Sequence, residues 1–121
     1  MSESRIKDIY DILHDNGIDV YFPTQHEGEC ISPYTVVKST GTSQQGDNSF
    51  IQATYDLMCY VPKEQYSLLD VYVQQVKTIM KKLRPMIQST HFQTPSYYDA
   101  DVKGHMISMS YLNYRKFYKN S

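Results

Sequence analysis

The clearest pattern of apolar and polar positions lies between residues 34 and 61, where two strand-like segments flank a polar loop. In the second segment alternate positions from Ile51 to Val61 are apolar, while the positions between them include Gln52 and Asp56. A period of two over this length predicts a β-strand with one buried face. The first segment, YTVVKST, predicts the partner strand, so we expect a hairpin.

The loop of this hairpin, residues 41–49, is polar throughout and too long for a tight turn. Long polar loops carried by a rigid sheet usually contact another molecule. The sequence therefore predicts a subunit or partner interface here. Its candidate residues are Gly41, Thr42, Ser43, Gln44, Gln45, Gly46, Asp47, Asn48 and Ser49.

Apolar positions at helical spacing predict two amphipathic helices. The first covers residues 4–15. The second covers residues 67–84, where an apolar stripe with a period near 3.6 residues is the strongest helical pattern in the chain. Ser67 and Asp70 predict a capping box at its start, and Pro85 predicts its end.

Shorter patterns predict the remaining strands. A short strand is expected at residues 20–22, and two further strands at 87–94 and 105–118, joined by a connection at 95–104. Helices and antiparallel strands segregated in this order are typical of an α+β sandwich. We therefore expect a single domain, residues 1–121, with a mostly antiparallel sheet of four to five strands packed against two helices and carrying the long polar hairpin loop.

Composition agrees with one soluble globular domain. The chain has 121 residues, 40% of them apolar and 21% charged. No apolar run approaches the roughly 18 residues that a membrane span needs, and the N-terminus shows no signal-peptide pattern. We therefore expect no contact with a membrane and use in a cytoplasm. Cys30 and Cys59 belong to no CxxC pair, so both are expected to be reduced.

Charge is unevenly distributed along the chain although the net charge is only −1. Residues 1–75 carry four basic and eleven acidic side chains, whereas residues 76–121 carry eight basic and two acidic ones. Such a split can give a subunit one acidic and one basic flank, which suits head-to-tail association into a ring. The twelve tyrosines suit surfaces that are buried on assembly, or they reflect the preference of tyrosine for strands.

Candidate catalytic and metal-binding groups are few. Cys59 with His91 or His105 forms a conceivable nucleophile and base, but no feature of the sequence marks either histidine as the partner. The chain contains no phosphate-binding, dinucleotide-binding, HExxH or GxSxG motif. One loop combines metal-ligating residue types but lacks the second ligand pair of a zinc site. Its residues are His26, Glu27, Glu29 and Cys30.

We accordingly expect a protein that is not an enzyme and that uses no cofactor and no metal. The alternative from another class is a small cytoplasmic cysteine- or metal-dependent enzyme. A small regulatory binding module is a third possibility.

The basic residues of the second helix form a candidate contact patch. Cations near a helix C-terminus complement its dipole, and a basic helix face can also meet phosphates. We expect these residues to lack nearby stacking aromatics, and therefore to make at most loose contact with passing DNA. The residues are Lys77, Lys81, Lys82 and Arg84.

The order and lengths of these elements resemble the tail terminator, or tail-completion, proteins of long-tailed bacteriophages, including tail-to-head joining proteins of phages that infect Gram-positive hosts. The resemblance spans nearly the whole chain. It rests on an N-terminal amphipathic helix, a VYF strand, a strand entered by PYTVV, the polar loop and an alternating strand ending at Val61-Pro62. The helix LLDVYVQQVKTIMKKL and a final hairpin rich in Tyr and Met complete it.

This resemblance implies a hexameric ring of identical subunits on the end of the tail tube. Such a ring stops polymerisation of the major tail tube protein, presents a surface to the head-completion or neck protein, and lets DNA pass through its channel. No residue is catalytic. The loop 41–49 would reach a neighbouring subunit, and the helix 67–84 would pack on the sheet. The protein would reside in the virion tail or neck, and in the host cytoplasm during assembly. A head-closure or connector ring of the phage neck is the alternative within assembly.

Overall fold

Two α-helices and a six-stranded sheet make up the part of the chain that the structure describes. The computed structural model describes residues 5–44 and 50–116. The elements, in chain order, are α1 (Ile6–Asp15), β1 (Val20–Tyr21), β2 (Tyr34–Gln44), β3 (Phe50–Pro62), α2 (Leu69–Met80), β4 (Ile87–Gln93), β5 (Tyr97–Asp99) and β6 (Gly104–Lys116). The expected α+β class with a mostly antiparallel sheet is confirmed.

The sheet has the strand order β1-β2-β3-β6-β4, and β5 also pairs with β6. Only β1 and β2 are parallel. The long β3 and β6 form the centre, with a ladder that runs from Phe50 opposite Lys116 to Pro62 opposite Gly104. β1 therefore forms one lateral edge of the described sheet, and β4 together with the short β5 forms the other. Within residues 5–44 and 50–116, no strand pairs with the outer side of β4.

Both helices pack on the same face of the sheet, as the alternation in β3 predicts. Five alternate side chains of β3 are buried against the helix layer, namely Ala53, Tyr55, Leu57, Cys59 and Val61. The apolar stripe of α2 packs against them through residues that include Val73, Val76 and Met80. α1 lies beside α2, above β1 and β2. Burial of apolar surface between these layers, worth about 25 cal/mol per Å², is the main stabilising contribution.

The predicted polar loop is shorter than expected. Residues 41–44 belong to β2 and pair with residues 51–54 of β3. The ladder continues because β3 still supplies partners there, and the positive φ of Gly41, 125°, accommodates a register shift between Ser39 and Gly41. The remaining loop positions, 45–49, lie outside the described residues.

The second helix is more irregular than its sequence predicts. The α-helical part ends at Met80, and 3₁₀ turns cover Lys63–Leu68 before it and Lys81–Leu83 after it. The predicted capping box is wrong, because Leu68 occupies the cap position and no side chain caps the helix. The preceding 3₁₀ turn supplies a backbone acceptor instead, since the Leu69 N–H donates to the carbonyl of Tyr66.

The sheet contains one strand more than the four to five strands that the sequence predicts. β5, three residues long, lies inside the predicted connection 95–104, where its shortness hides any alternation. Among the helices of the described part, none has the length and apolar character needed to cross a membrane.

Candidate functional site

A cleft lies between the C-terminal end of α2 and the edge strand β4. Its volume is about 190 Å³. The floor consists of buried apolar side chains from α2, β4 and β6, and the rim carries cations from α2 and the turn after it. The floor residues are Met80, Ile87, Met109 and Tyr111, and the basic rim residues are Lys77, Lys81 and Arg84. We call this site the basic cleft.

The sequence brings the three cations together through helix geometry. Lys77 and Lys81 are four residues apart, so they lie on the same side of α2, at the border of its buried stripe. The chain then turns after Arg84 and returns as β4, which forms the opposite wall. In the described part of the chain none of the three cations has an ion-pair partner. They remain available to an anionic group from outside.

Lys82 does not belong to this cleft, although the sequence predicts one patch of four basic residues. Its ammonium group donates to Asn16 Oδ1 at 2.8 Å, at the end of α1. One residue of rotation along the helix turns its side chain away from β4 and toward α1. The structure therefore separates the predicted patch into three cleft residues and one helix-linking residue.

β4 is distorted where it borders the cleft. His91 has a φ of +66°, and the register with β6 shifts between Ser89 and Gln93. Local side chains hold this irregularity, because the N–H groups of His91 and Phe92 donate to the hydroxyls of Ser89 and Thr90 at 2.9 and 3.2 Å. Such hydroxyls compete with the ladder for backbone donors.

The distortion places Phe92 at the cleft with 63% of its surface exposed. The expectation that the basic residues lack a nearby aromatic is therefore wrong, because β4 supplies one from a distant point in the sequence. The sequence signal that could have indicated this aromatic is the Ser89-Thr90 pair, whose hydroxyls disturb the strand predicted at 87–94.

The backbone of β4 adds a second feature to this edge. An edge strand presents unpaired N–H and C=O groups on its outer side, which can pair with or be covered by another chain. Proteins blunt such edges with charges and bulges, and β4 carries both a bulge and neighbouring cations. β4 therefore lines the basic cleft with its side chains and carries this backbone edge on its outer side.

The opposite side of the molecule is acidic. Residues 5–21, which form α1 and β1, contain two basic and four acidic side chains, whereas residues 76–93 contain four basic and no acidic ones. Two of the acids are paired within α1, Asp8 with Arg5 at 3.1 Å and Asp11 with Lys7 at 2.7 Å. α1 and β1 lie at the edge of the sheet opposite β4. The uneven charge along the sequence is therefore also uneven in space.

The candidate cysteine nucleophile is buried and protonated. Burial raises the pKa of the Cys59 thiol to about 12, and its sulfur accepts a weak hydrogen bond from the Thr35 hydroxyl at 3.7 Å. His91 lines the basic cleft, and the ring of His105 packs on Tyr66 with centroids 4.7 Å apart. The structure thus does not assemble the nucleophile and base considered from the sequence.

The metal-type residues of the loop after β1 also serve other purposes. His26 stacks on Tyr34 with ring centroids 3.8 Å apart. Cys30 is buried, and burial raises its thiol pKa to about 11. Among the residues that the structure places, no three His, Cys, Asp or Glu side chains gather as a metal site would require.

Comparison with protein-family models finds no match to this chain. Comparison with curated proteins finds none either. The surfaces of this chain that bear on its function are the basic cleft, the outer edge of β4 and the acidic flank opposite to them.

Proposed function

We propose that this protein is a structural virion assembly protein, the subunit of a ring that caps the tail tube of a long-tailed phage, ends tail polymerisation and joins the tail to the head. A hexamer is the ring size implied by the family that the sequence resembles. The observation that carries the proposal is the placement of an acidic flank and a basic flank at opposite edges of one sheet.

Opposite flanks favour head-to-tail contact over face-to-face contact. Two copies that meet through identical edges bring like charges together, whereas an acidic edge against a basic edge is attractive. A head-to-tail contact repeats from copy to copy and forms a ring where the rotation closes. The near-zero net charge adds little long-range repulsion between copies.

The state of Cys59 weighs against the cysteine-enzyme alternative. A nucleophilic cysteine needs an accessible thiolate, whereas the Cys59 side chain is fully buried and its raised pKa keeps it protonated at neutral pH. An assembly role requires no such group. It requires complementary surfaces, which the two flanks supply.

The test is a tail-tube assembly experiment viewed by electron microscopy. Purified major tail tube protein is polymerised with and without this protein. We expect tubes of limited length with a ring of density on one end, and unlimited growth of the tubes in the control without it. Unlimited growth in the presence of the protein contradicts the proposal. Binding to portal or neck particles instead of tube ends favours the head-closure alternative.

A further inference from the structure

An isolated apolar side chain protrudes from the loop that follows β1. Ile31 is 81% exposed, yet the backbone on both sides of it is held. The Cys30 N–H donates to the Val102 carbonyl at 2.6 Å, and the Cys30 thiol donates to the Ser32 carbonyl at 3.4 Å. Single exposed apolar side chains are common on monomers. This one sits on fixed backbone, so its burial by a partner costs little ordering entropy.

The loop is anchored against a position at the start of β6 that only glycine can occupy without a close contact. A Cβ atom at Gly104 would lie 3.0 Å from the Cys30 Cβ and 3.0 Å from the Val61 carbonyl oxygen. The absence of that atom lets the loop approach the start of β6 closely. Residues 30–32 are therefore presented in one position relative to the sheet.

Two carboxylates accompany the exposed Ile31. Glu27 and Glu29 are both exposed, and within residues 5–44 and 50–116 neither has an ion-pair partner. We call residues 24–32 the acidic loop. The exposed Ile31 and the two carboxylates that precede it match the basic cleft in chemistry, because the cleft has an apolar floor and three cations on its rim.

The acidic loop cannot enter the cleft of its own chain. Its anchor, Gly104, is five residues along β6 from the cleft residue Met109, roughly 17 Å at about 3.3 Å per residue. The two features also lie on opposite faces of the sheet. His26 of the loop stacks on Tyr34, whose neighbour Thr35 faces the helices, whereas α2 itself forms one wall of the cleft.

We propose that the acidic loop of one copy docks into the basic cleft of the next, with Ile31 on the apolar floor and the two loop carboxylates against the cations of the rim. This contact rests on the proposed ring, for which it names the subunit interface. It joins two different surfaces, so it repeats head to tail. The cleft thus binds a second copy of this chain.

The test exchanges the charges of the two surfaces. One variant carries Lys81→Glu and Arg84→Glu in the cleft, and the other carries Glu27→Lys and Glu29→Lys in the loop. Each alone brings like charges together, so we expect self-association at least about tenfold weaker than in the wild type, measured by analytical ultracentrifugation. An equal mixture restores it, because the acidic loop of the first variant meets the basic cleft of the second and the reverse pairing is also attractive. This restoration also shows that both variants are folded.

Two matched controls separate this contact from general effects of charge and hydrophobicity. Lys82→Glu reverses a charge next to the cleft but outside it, and it weakens association much less than the cleft variant does. Ile31→Ser weakens association by on the order of 10- to 100-fold through lost apolar burial. Leu68→Ser, at another exposed apolar residue, does not.

Variants that associate like the wild type, or a mixture that stays monomeric, overturn this inference. A wild-type protein that never associates, alone or on tail tubes, overturns it as well. Cleft variants that lose tube binding but keep wild-type self-association assign the cleft to the tail protein and exclude the second copy. Wild-type rings that pass the exchange test but leave tube growth unlimited contradict the proposed function alone.

Discussion

At the scale of single residues, a buried polar pair links the sheet to α2. The Thr35 side chain is fully buried on β2, and its hydroxyl lies 2.8 Å from the Tyr72 hydroxyl of α2. Tyr72→Phe keeps the ring but leaves Thr35 with only the weak contact to Cys59. A buried group that loses its hydrogen-bond partner costs about 1–3 kcal/mol. We expect the free energy of unfolding in urea to fall by that amount.

Tyr66→Phe is the matched control for this prediction. The Tyr66 side chain is 54% exposed, and its hydroxyl bonds Ser96 at 3.1 Å on the surface. Water replaces that bond when the hydroxyl is removed, so we expect a change of about 0.5 kcal/mol or less. Equal losses in the two variants would show that the buried pair contributes nothing specific.

At the scale of elements, the strands and α2 bury tyrosines and cysteines that resist ionisation. Burial raises the pKa of Cys59, Tyr60 and Tyr111 to about 12, from ordinary values of 9.0 for cysteine and 10.0 for tyrosine. Burial raises the pKa of Tyr34 and Tyr72 as well. The unfolded chain therefore releases these protons at a lower pH than the folded chain does.

The direction of the pH effect follows from this difference. A raised pKa in the folded state contributes stability that is present below the ordinary pKa and is lost as the pH rises through the folded value. We expect the free energy of unfolding to fall steadily from pH 9 to pH 12. Urea titrations across this range measure it, and Tyr111→Phe reduces the slope. A flat profile would contradict the burial of these phenols and thiols.

The elements also show what sequence patterns can and cannot predict. The alternation from Ala53 to Val61 predicts β3 because burial of one face imposes a period of two. The stripe of α2 is visible for the same reason. The bulge at His91 and the three-residue β5 escape prediction, because they depend on hydroxyl bonds and on pairing with a distant strand. The capping box fails because the 3₁₀ turn before Leu69 changes the local geometry.

The sequence predicts only part of the candidate site. Lys77, Lys81 and Arg84 stand out as a basic cluster, but periodicity does not show which of the neighbouring cations faces β4. The apolar floor and Phe92 come from other elements, and only the tertiary fold brings them to the same cleft. Ile31 gives no signal in the sequence, since its exposure follows from the anchoring of Cys30 on Gly104.

At the scale of the whole molecule, the separation of charge predicts how association responds to salt. The attraction between an acidic flank and a basic flank acts across solvent-exposed distances. It is therefore screened as the Debye length falls from about 10 Å at 0.1 M salt to about 3 Å at 1 M. Apolar contacts are not weakened in this way. We expect the average mass in sedimentation experiments to fall as sodium chloride rises over this range.

A matched lysine variant distinguishes this effect from general screening. Lys63 is exposed in the 3₁₀ turn before α2 and does not line the basic cleft. Lys63→Ala should therefore keep the full salt dependence of the wild type, whereas Lys81→Ala should associate more weakly at low salt and respond less to added salt. Association that strengthens with salt would instead indicate an interface governed by apolar surface. In that case the exposed Phe92 and Ile31 would drive assembly, and the opposite flanks would only orient the copies as they meet.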